Sequence, residues 1–226
     1  MDWTALALSL QLAAATVVLL VPVALFVGRA LAYRHFRGKA VVEALLTVPL
    51  VLPPTVIGYY LLVTLGSASG LGAWLQQVTG RPLVFDFSGL VLASVLVNIP
   101  FAVQPIQRAF ETIPQEVRDA AACCGLSGGR SLWRIELPLA WPGILTGAVL
   151  TFAHTLGEFG VVLMVGGSIP GQTQTISIAI YDRVQALDFA AAGTMSAWLL
   201  LFSISVLALA STLGRRFGTR YGARRA

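Results

Sequence analysis

The chain has 226 residues, 57% apolar by type and only 11% charged, with a net charge of +5 and a mean hydropathy of +0.81. A water-soluble domain carries roughly a quarter charged residues, so a soluble enzyme with one buried core is excluded, as is a disordered chain. What remains is an all-α polytopic membrane protein, a bundle of membrane-spanning helices.

A span needs about 20 predominantly apolar residues, and the gaps between charged residues supply them. The uncharged run from Trp3 to Gly28 predicts a first span at about 4–28. Its start lacks the basic region of a signal peptide and its apolar run is too long for one, so the helix is expected to be retained. A second span is predicted at about 44–65, ending where Gly66-Ser67-Ala68-Ser69-Gly70 breaks the apolar character. The third falls at about 87–108, the fourth at about 138–164 and the fifth at about 189–213. Residues 159–181 are also uncharged, but GGSIPGQTQT at 166–175 puts glycines, a proline and hydrogen-bonding side chains where a helix centre would be. In lipid every backbone group needs an internal partner. This stretch is therefore read as a loop after an extended fourth helix, and the count is five.

Basic residues orient the bundle. Arg29, Arg34, Arg37 and Lys39 follow the first span, Arg108, Arg118, Arg130 and Arg134 the third, and Arg215, Arg216, Arg220, Arg224 and Arg225 the fifth. Only Arg81 and Arg183 fall on the other face. Positive residues mark the cytoplasm, which predicts an outside N-terminus and a cytoplasmic C-terminus. The surplus charge suits anionic lipid headgroups, and no nucleic-acid partner is expected. Only twelve residues follow Gly214, so regulation is expected to sit on a partner.

The loop at 111–137 carries the most specific pattern. Pro114 suits the first turn of a helix, Gln115 to Cys124 contains no breaker, and Gly125 stands where a glycine ends a helix with positive φ. Ser127-Gly128-Gly129 predicts a turn, and a second short helix with Leu132, Trp133 and Ile135 leads to Leu137-Pro138 at the membrane. Two short helices of this kind form a handle for another protein; a bland solvated connector is the alternative. Cys123 and Cys124 are adjacent and face a reducing compartment, so no disulfide is expected.

The chemistry available to the spans is limited. There is no G-x-x-x-x-G-K-[ST] loop to cradle phosphates, so energy must come from a separate subunit or not from ATP. His154 and Glu158, four apart, share a helix face, but a metal site needs a third ligand and His35 lies across the membrane. No serine has a base partner for nucleophilic catalysis. The polar groups that remain are Thr55 beside Pro53 and Pro54, Asn98 and Gln104 around Pro100 and Pro105, and Thr151 and Thr155. Prolines kink helices and free backbone groups, so these residues either line a wet path or tie helices together. An uncharged, weakly binding path suits transport, because a tightly held ion would not leave.

Asp119-Ala120-Ala121, then Gly125, then Ile135-Glu136-Leu137-Pro138 resembles the EAA-type loop of permease subunits of type I ABC importers, with aspartate in place of the usual glutamate. Leu52-Pro53-Pro54-Thr55-Val56-Ile57-Gly58-Tyr59 resembles a segment of molybdate permeases. Leu156-Gly157-Glu158-Phe159-Gly160 with Ser168-Ile169-Pro170-Gly171-Gln172-Thr173 is similar to one shared by molybdate and sulfate permeases. The likeness extends from about residue 7 to 213. It implies a permease of an ATP-driven oxyanion importer in the bacterial inner membrane, for molybdate or tungstate. A sulfate-type permease, or an ATP-independent carrier, stands as the alternative. It also implies a homodimer, two ABC ATPase subunits that carry ATP and Mg, a periplasmic binding protein, and no cofactor on this chain. Glu116, Asp119, Ala120, Ala121, Gly125, Ile135, Leu137 and Pro138 are the coupling residues so implied. Pro53, Pro54, Thr55, Asn98, Thr151, Thr155, Gly157 and Glu158 are the candidate lining of the substrate path.

Overall fold

The computed structural model describes residues 2–222. Arg224 and Arg225 lie outside them. The described residues fold into helices and connecting turns. Helix α1 (Trp3–Tyr33) starts where the Asp2 carboxylate accepts the Ala5 amide at 2.9 Å, satisfying one of the donors that every helix start leaves open. It runs past the predicted end at 28 and carries Arg29 and Tyr33 near its end.

The predicted second span is two helices. α2 (Lys39–Val51) and α3 (Pro54–Leu65) meet at an angle of 106°. Leu52 and Pro53 each precede a proline, which disfavours the helical region for the preceding residue, and both are extended, with ψ of 139° and 135°. A short α4 (Gly70–Thr79), capped by Ser69, leads to α5 (Phe87–Glu111), which ends three residues beyond the predicted boundary. At the start of α5 the Asp86 carboxylate accepts the Ser88 amide at 2.9 Å and pairs with Arg81 at 3.6 Å. Burial alone would raise the Asp86 carboxyl, but the hydroxyl and amide of Ser88, with Arg81, hold it below its ordinary value.

Within the loop at 111–137, α6 (Gln115–Cys123) is followed by Gly125 at φ +75°. The turn expected at Ser127-Gly128-Gly129 is instead a helix start. α7 (Gly128–Ser131) passes through a π-helical turn (Leu132–Glu136) directly into α8 (Leu137–Gly157). The expected fourth span at 138–164 is interrupted. Gly157 ends α8, Glu158 is extended at ψ 129°, and α9 (Gly160–Gly166) follows. The loop reading of 159–181 holds only for its middle, because α10 (Ile176–Gln185) buries Ile176, Ile178 and Ala179. That middle satisfies polar groups of its own: Thr173 Oγ1 donates to the Gly166 carbonyl at 2.6 Å and Gln174 Nε2 to Asp182 at 2.8 Å. α11 (Phe189–Gly222) completes the bundle.

Four helical stretches among the described residues are long and apolar enough to cross a membrane, and the bent α2–α3 pair makes a fifth. The centre is α1, α5 and α8, whose buried Leu20, Leu31, Ala102, Val103, Ile106, Phe110 and Ile144 form the largest apolar cluster. Small residues let these helices approach. A Cβ on Gly28 would stand 3.0 Å from the Gln107 nitrogen, and one on Gly143 would stand 2.3 Å from Ala109 Cβ. α1 and α5 run parallel, with α8 antiparallel to both. α2 buries none of its residues.

Candidate coupling surface and polar break

The residues singled out in sequence gather at two places. The first is the α6 end of the bundle. Glu116, Asp119, Ala120 and Gly125 are exposed, whereas Ala121 is buried and Ile135, Leu137 and Pro138 are half-buried. The pattern thus divides into a presented face and an anchoring face. Asp119 accepts from Gln115 Nε2 at 3.1 Å and stays open to solvent. At the end of α6 the Gly125 amide bonds the Ala122 carbonyl at 2.9 Å and the Leu126 amide the Ala121 carbonyl at 3.1 Å. This closure needs the left-handed conformation that glycine supplies. Cys123 and Cys124 are free and exposed.

Sequence reasoning overlooked three features here. Trp133 is 73% exposed on the π-helical turn, a large apolar ring offered to solvent beside Arg134. Glu136 points the other way, 2% exposed, and is gripped by both Nε and Nη2 of Arg29 at 2.6 and 3.0 Å. It also accepts from Ser131 Oγ at 3.1 Å. Arg118 of α6 stacks over the Tyr33 ring, 3.9 Å from its centroid. A carboxylate in the quoted Ile-Glu-Leu-Pro run was the available signal for Glu136. Its partner lies 107 positions away and had none.

The second place is the break between α8 and α9. Asn98, fully buried on α5, donates through Nδ2 to the Ser94 carbonyl at 2.8 Å and to Thr155 Oγ1 at 3.1 Å. Its Oδ1 lies 3.2 Å from His154 Nδ1, and the imidazole stacks on Phe101 with centroids 4.0 Å apart. Thr155 Oγ1 donates to the Thr151 carbonyl, while the buried Thr151 and Ser94 hydroxyls have no partner among the described residues. Glu158 departs from the shared helix face expected of it. It leaves the helix, caps α9 by accepting the Val161 amide at 3.0 Å, and keeps Oε2 3.8 Å from His154 Nε2. Among the described residues no group of three His, Cys, Asp or Glu side chains could hold a metal ion.

The two helix breaks face one another. A Cβ on Gly160 would stand 2.8 Å from Pro54 Cβ and 3.5 Å from the Thr55 nitrogen, and one on Gly58 would stand 2.7 Å from Met164 Cβ. Hence α3 and α9 run parallel, each starting at its break. Pro53, Pro54 and Thr55 are exposed on one side and Gly157 on the other, while Asn98, Thr151, Thr155 and Glu158 are buried between helices. Gln104 stands apart, bonded to Thr47 of α2 at 3.3 Å. A groove of about 630 Å³ runs along α5 and α8 from Phe101 and Leu150 past Gln104 to Arg108 and Thr112.

The architecture is a multi-pass helical bundle with broken helices around a buried polar cluster and a structured loop presented at one end. Residues 20–220 match the family described as the binding-protein-dependent transport system inner membrane component, and the chain belongs to that family. It is a multi-pass inner-membrane permease that works with a binding protein and an ATPase. Among relatives, it is 44% identical to the molybdenum transport system permease protein ModB of Azotobacter vinelandii, covering 96% of this chain and 95% of that protein. It is 40% identical to ModB of Haemophilus influenzae over 94% of this chain and 91% of the relative. The sulfate transport system permease protein CysT of Escherichia coli is 32% identical over 82% of this chain and 67% of the relative. In fold, a bacterial ABC transporter that imports alginate matches at a TM-score of 0.77 and 16% identity, over 94% of this chain and 78% of that one. An inward-facing MetNI methionine transporter matches at 0.69 and 14%, over 96% and 94%.

Proposed function

We propose that the chain forms the membrane path of an ATP-driven molybdate importer, working as a homodimer with two ATPase subunits. The observation that carries the substrate is the full-length likeness to molybdenum permeases, at 44% identity, against 32% for the sulfate permease. Tungstate, a tetrahedral dianion of nearly the same size, is an expected second substrate. Carrying a dianion through hydrocarbon is prohibitive, so the path must be wet, and the facing breaks at Pro53–Thr55 and Gly157–Glu158 supply freed backbone groups beside Asn98, Thr151 and Thr155. The homodimer accords with α2, which buries none of its residues and exposes Val41, Leu45, Val48 and Val51, and with the open groove along α5 and α8.

Coupling falls to the presented face of the 111–137 loop. Glu116, Asp119, Ala120 and Gly125 contact the ATPase, while Ala121, Ile135, Leu137 and Pro138 anchor the loop to the bundle. ATP binding draws the ATPases together and the two loops with them, which switches the path between faces, alternating access through a bistable packing. The clustering of Arg34, Arg37, Lys39, Arg118, Arg130 and Arg134 at the α6 end supports a cytoplasmic loop and an outside N-terminus. The test is ATP hydrolysis by the purified complex. Molybdate or tungstate presented by the binding protein stimulates it, and sulfate does so far less. A stimulation by sulfate equal to that by molybdate overturns the substrate assignment.

A further inference from the structure

We infer that Arg118, Tyr33, Arg29 and Glu136 form a chain of positioning residues that carries movement of α6 into α1 and α8. This rests on the reading that α6 meets the ATPase. The apolar contact of α6 with the central cluster is made through Val117, next to Ile113 just before the helix; such contacts are non-directional and let a short helix slide or tilt. The polar chain is directional. The Arg118 guanidinium lies over the Tyr33 ring, 3.9 Å from its centroid; its Nη2 donates to Gln115 Oε1 within α6, and its Nε is buried with no hydrogen-bond partner among the described residues. The Tyr33 hydroxyl is likewise buried without such a partner. The tyrosine is therefore present for its ring, which attracts cations over its face and packs edge-on against the buried Phe110 at 5.9 Å.

Arg29 lies 5.5 Å from the same ring and forks onto Glu136. A two-point guanidinium–carboxylate contact fixes direction as well as distance. Glu136 is the last residue of the π-helical turn, and such turns mark places where a helix yields. The chain thus ties α6, the end of α1 and the entry of α8 into one unit. A tilt of α6 pulls α1 and turns α8 at its softest point, toward the Asn98–Thr155 cluster further along α8.

The test uses the complete complex in proteoliposomes and measures uptake per ATP hydrolysed, alongside copurification of the ATPase. Arg118→Gln and Tyr33→Leu alter the outer half of the chain, Arg29→Met and Glu136→Gln the buried half. All are expected to keep their ATPase subunits while uptake per ATP falls about fivefold or more, the low end of a site-to-site coupling. Tyr33→Phe, which keeps the ring, restores coupling relative to Tyr33→Leu. Wild-type uptake per ATP in Arg118→Gln and Tyr33→Leu overturns the inference. So does misassembly of Tyr33→Leu and Tyr33→Phe alike, which would mark a purely structural role. Failure of the docking reading shows elsewhere, as retained ATPase binding and wild-type uptake when Asp119 and Gly125 are changed.

Discussion

The side-chain amide of Asn98 donates to Thr155 Oγ1 at 3.1 Å, tying α5 to α8 less than one turn before α8 breaks at Glu158. The bond lies at zero exposure for Asn98, and the same amide group holds the Ser94 carbonyl and faces His154. An interior with so few polar groups depends heavily on each, because a buried donor or acceptor left unpaired costs about 1–3 kcal/mol. Asn98→Leu should therefore lower the stability of the detergent-solubilised protein by about that amount, read from denaturant or thermal unfolding. It should also reduce uptake more than it reduces ATPase binding.

Close approach of the two breaks is a second point of sensitivity. A methyl group at Gly160 would arrive 2.8 Å from Pro54 Cβ, and the neighbour is a rigid ring at the first residue of α3 that cannot swing aside. Gly160→Ala should push α3 from α9 at a cost of about 1–3 kcal/mol, the usual range for overpacking. Transport falls while the ATPase still copurifies, since the change lies far from α6. Unaltered uptake would show that the facing breaks are not part of the path.

In the loop, Gly125 sits at φ +75°, and a methyl group added to it would meet nothing within 4 Å, so backbone conformation alone opposes substitution. A β-branched residue tolerates that region poorly, and Gly125→Val should reorient the end of α6. Asp119→Lys reverses a solvent-exposed charge without touching the core. Both variants should insert normally yet lose ATPase subunits, or keep them while hydrolysis no longer drives uptake; copurification and uptake measured together distinguish these from a tolerant connector.

Asp86 gives a pH dependence with a defined sign. Its carboxyl titrates below the ordinary value of 3.8 because, against the cost of burial, Ser88 and Arg81 favour the charged form. A depressed folded-state value means that the stabilisation is complete above the ordinary value and fades as pH falls through the lowered one. Wild type should exceed Asp86→Asn in thermal stability at neutral pH, and the difference should close in strong acid. A gap that persists unchanged to the lowest pH at which the protein stays soluble would mean that the charge at the start of α5 contributes nothing.

Much of this architecture was legible in the apolar gaps, since a run such as 3–28 has few other uses, and the loop pattern around Asp119 and Gly125 was legible in spacing. The breaks were harder to read. Leu52-Pro53-Pro54 contains its own reason to leave the helix, but the length of 44–65 was sufficient for one span and hid the bend. α10 was missed because the polar run before it looked like an unbroken loop, while its buried Ile176, Ile178 and Ala179 belong to contacts made at long range, including the Ile176 amide on Ser9 Oγ at 2.8 Å. The grip of Arg29 on Glu136 likewise exists only in the folded chain. Local pattern finds helices and caps; it does not find which charges meet.

The most direct test of ATP-driven molybdate import is uptake of labelled molybdate into proteoliposomes that hold this chain with its ATPase subunits, with ATP on the ATPase side and binding protein on the other. Accumulation should require ATP, the binding protein and an intact Asp119, with tungstate competing and sulfate competing weakly. Accumulation that proceeds without the ATPase, or that sulfate abolishes as effectively as tungstate, would contradict it.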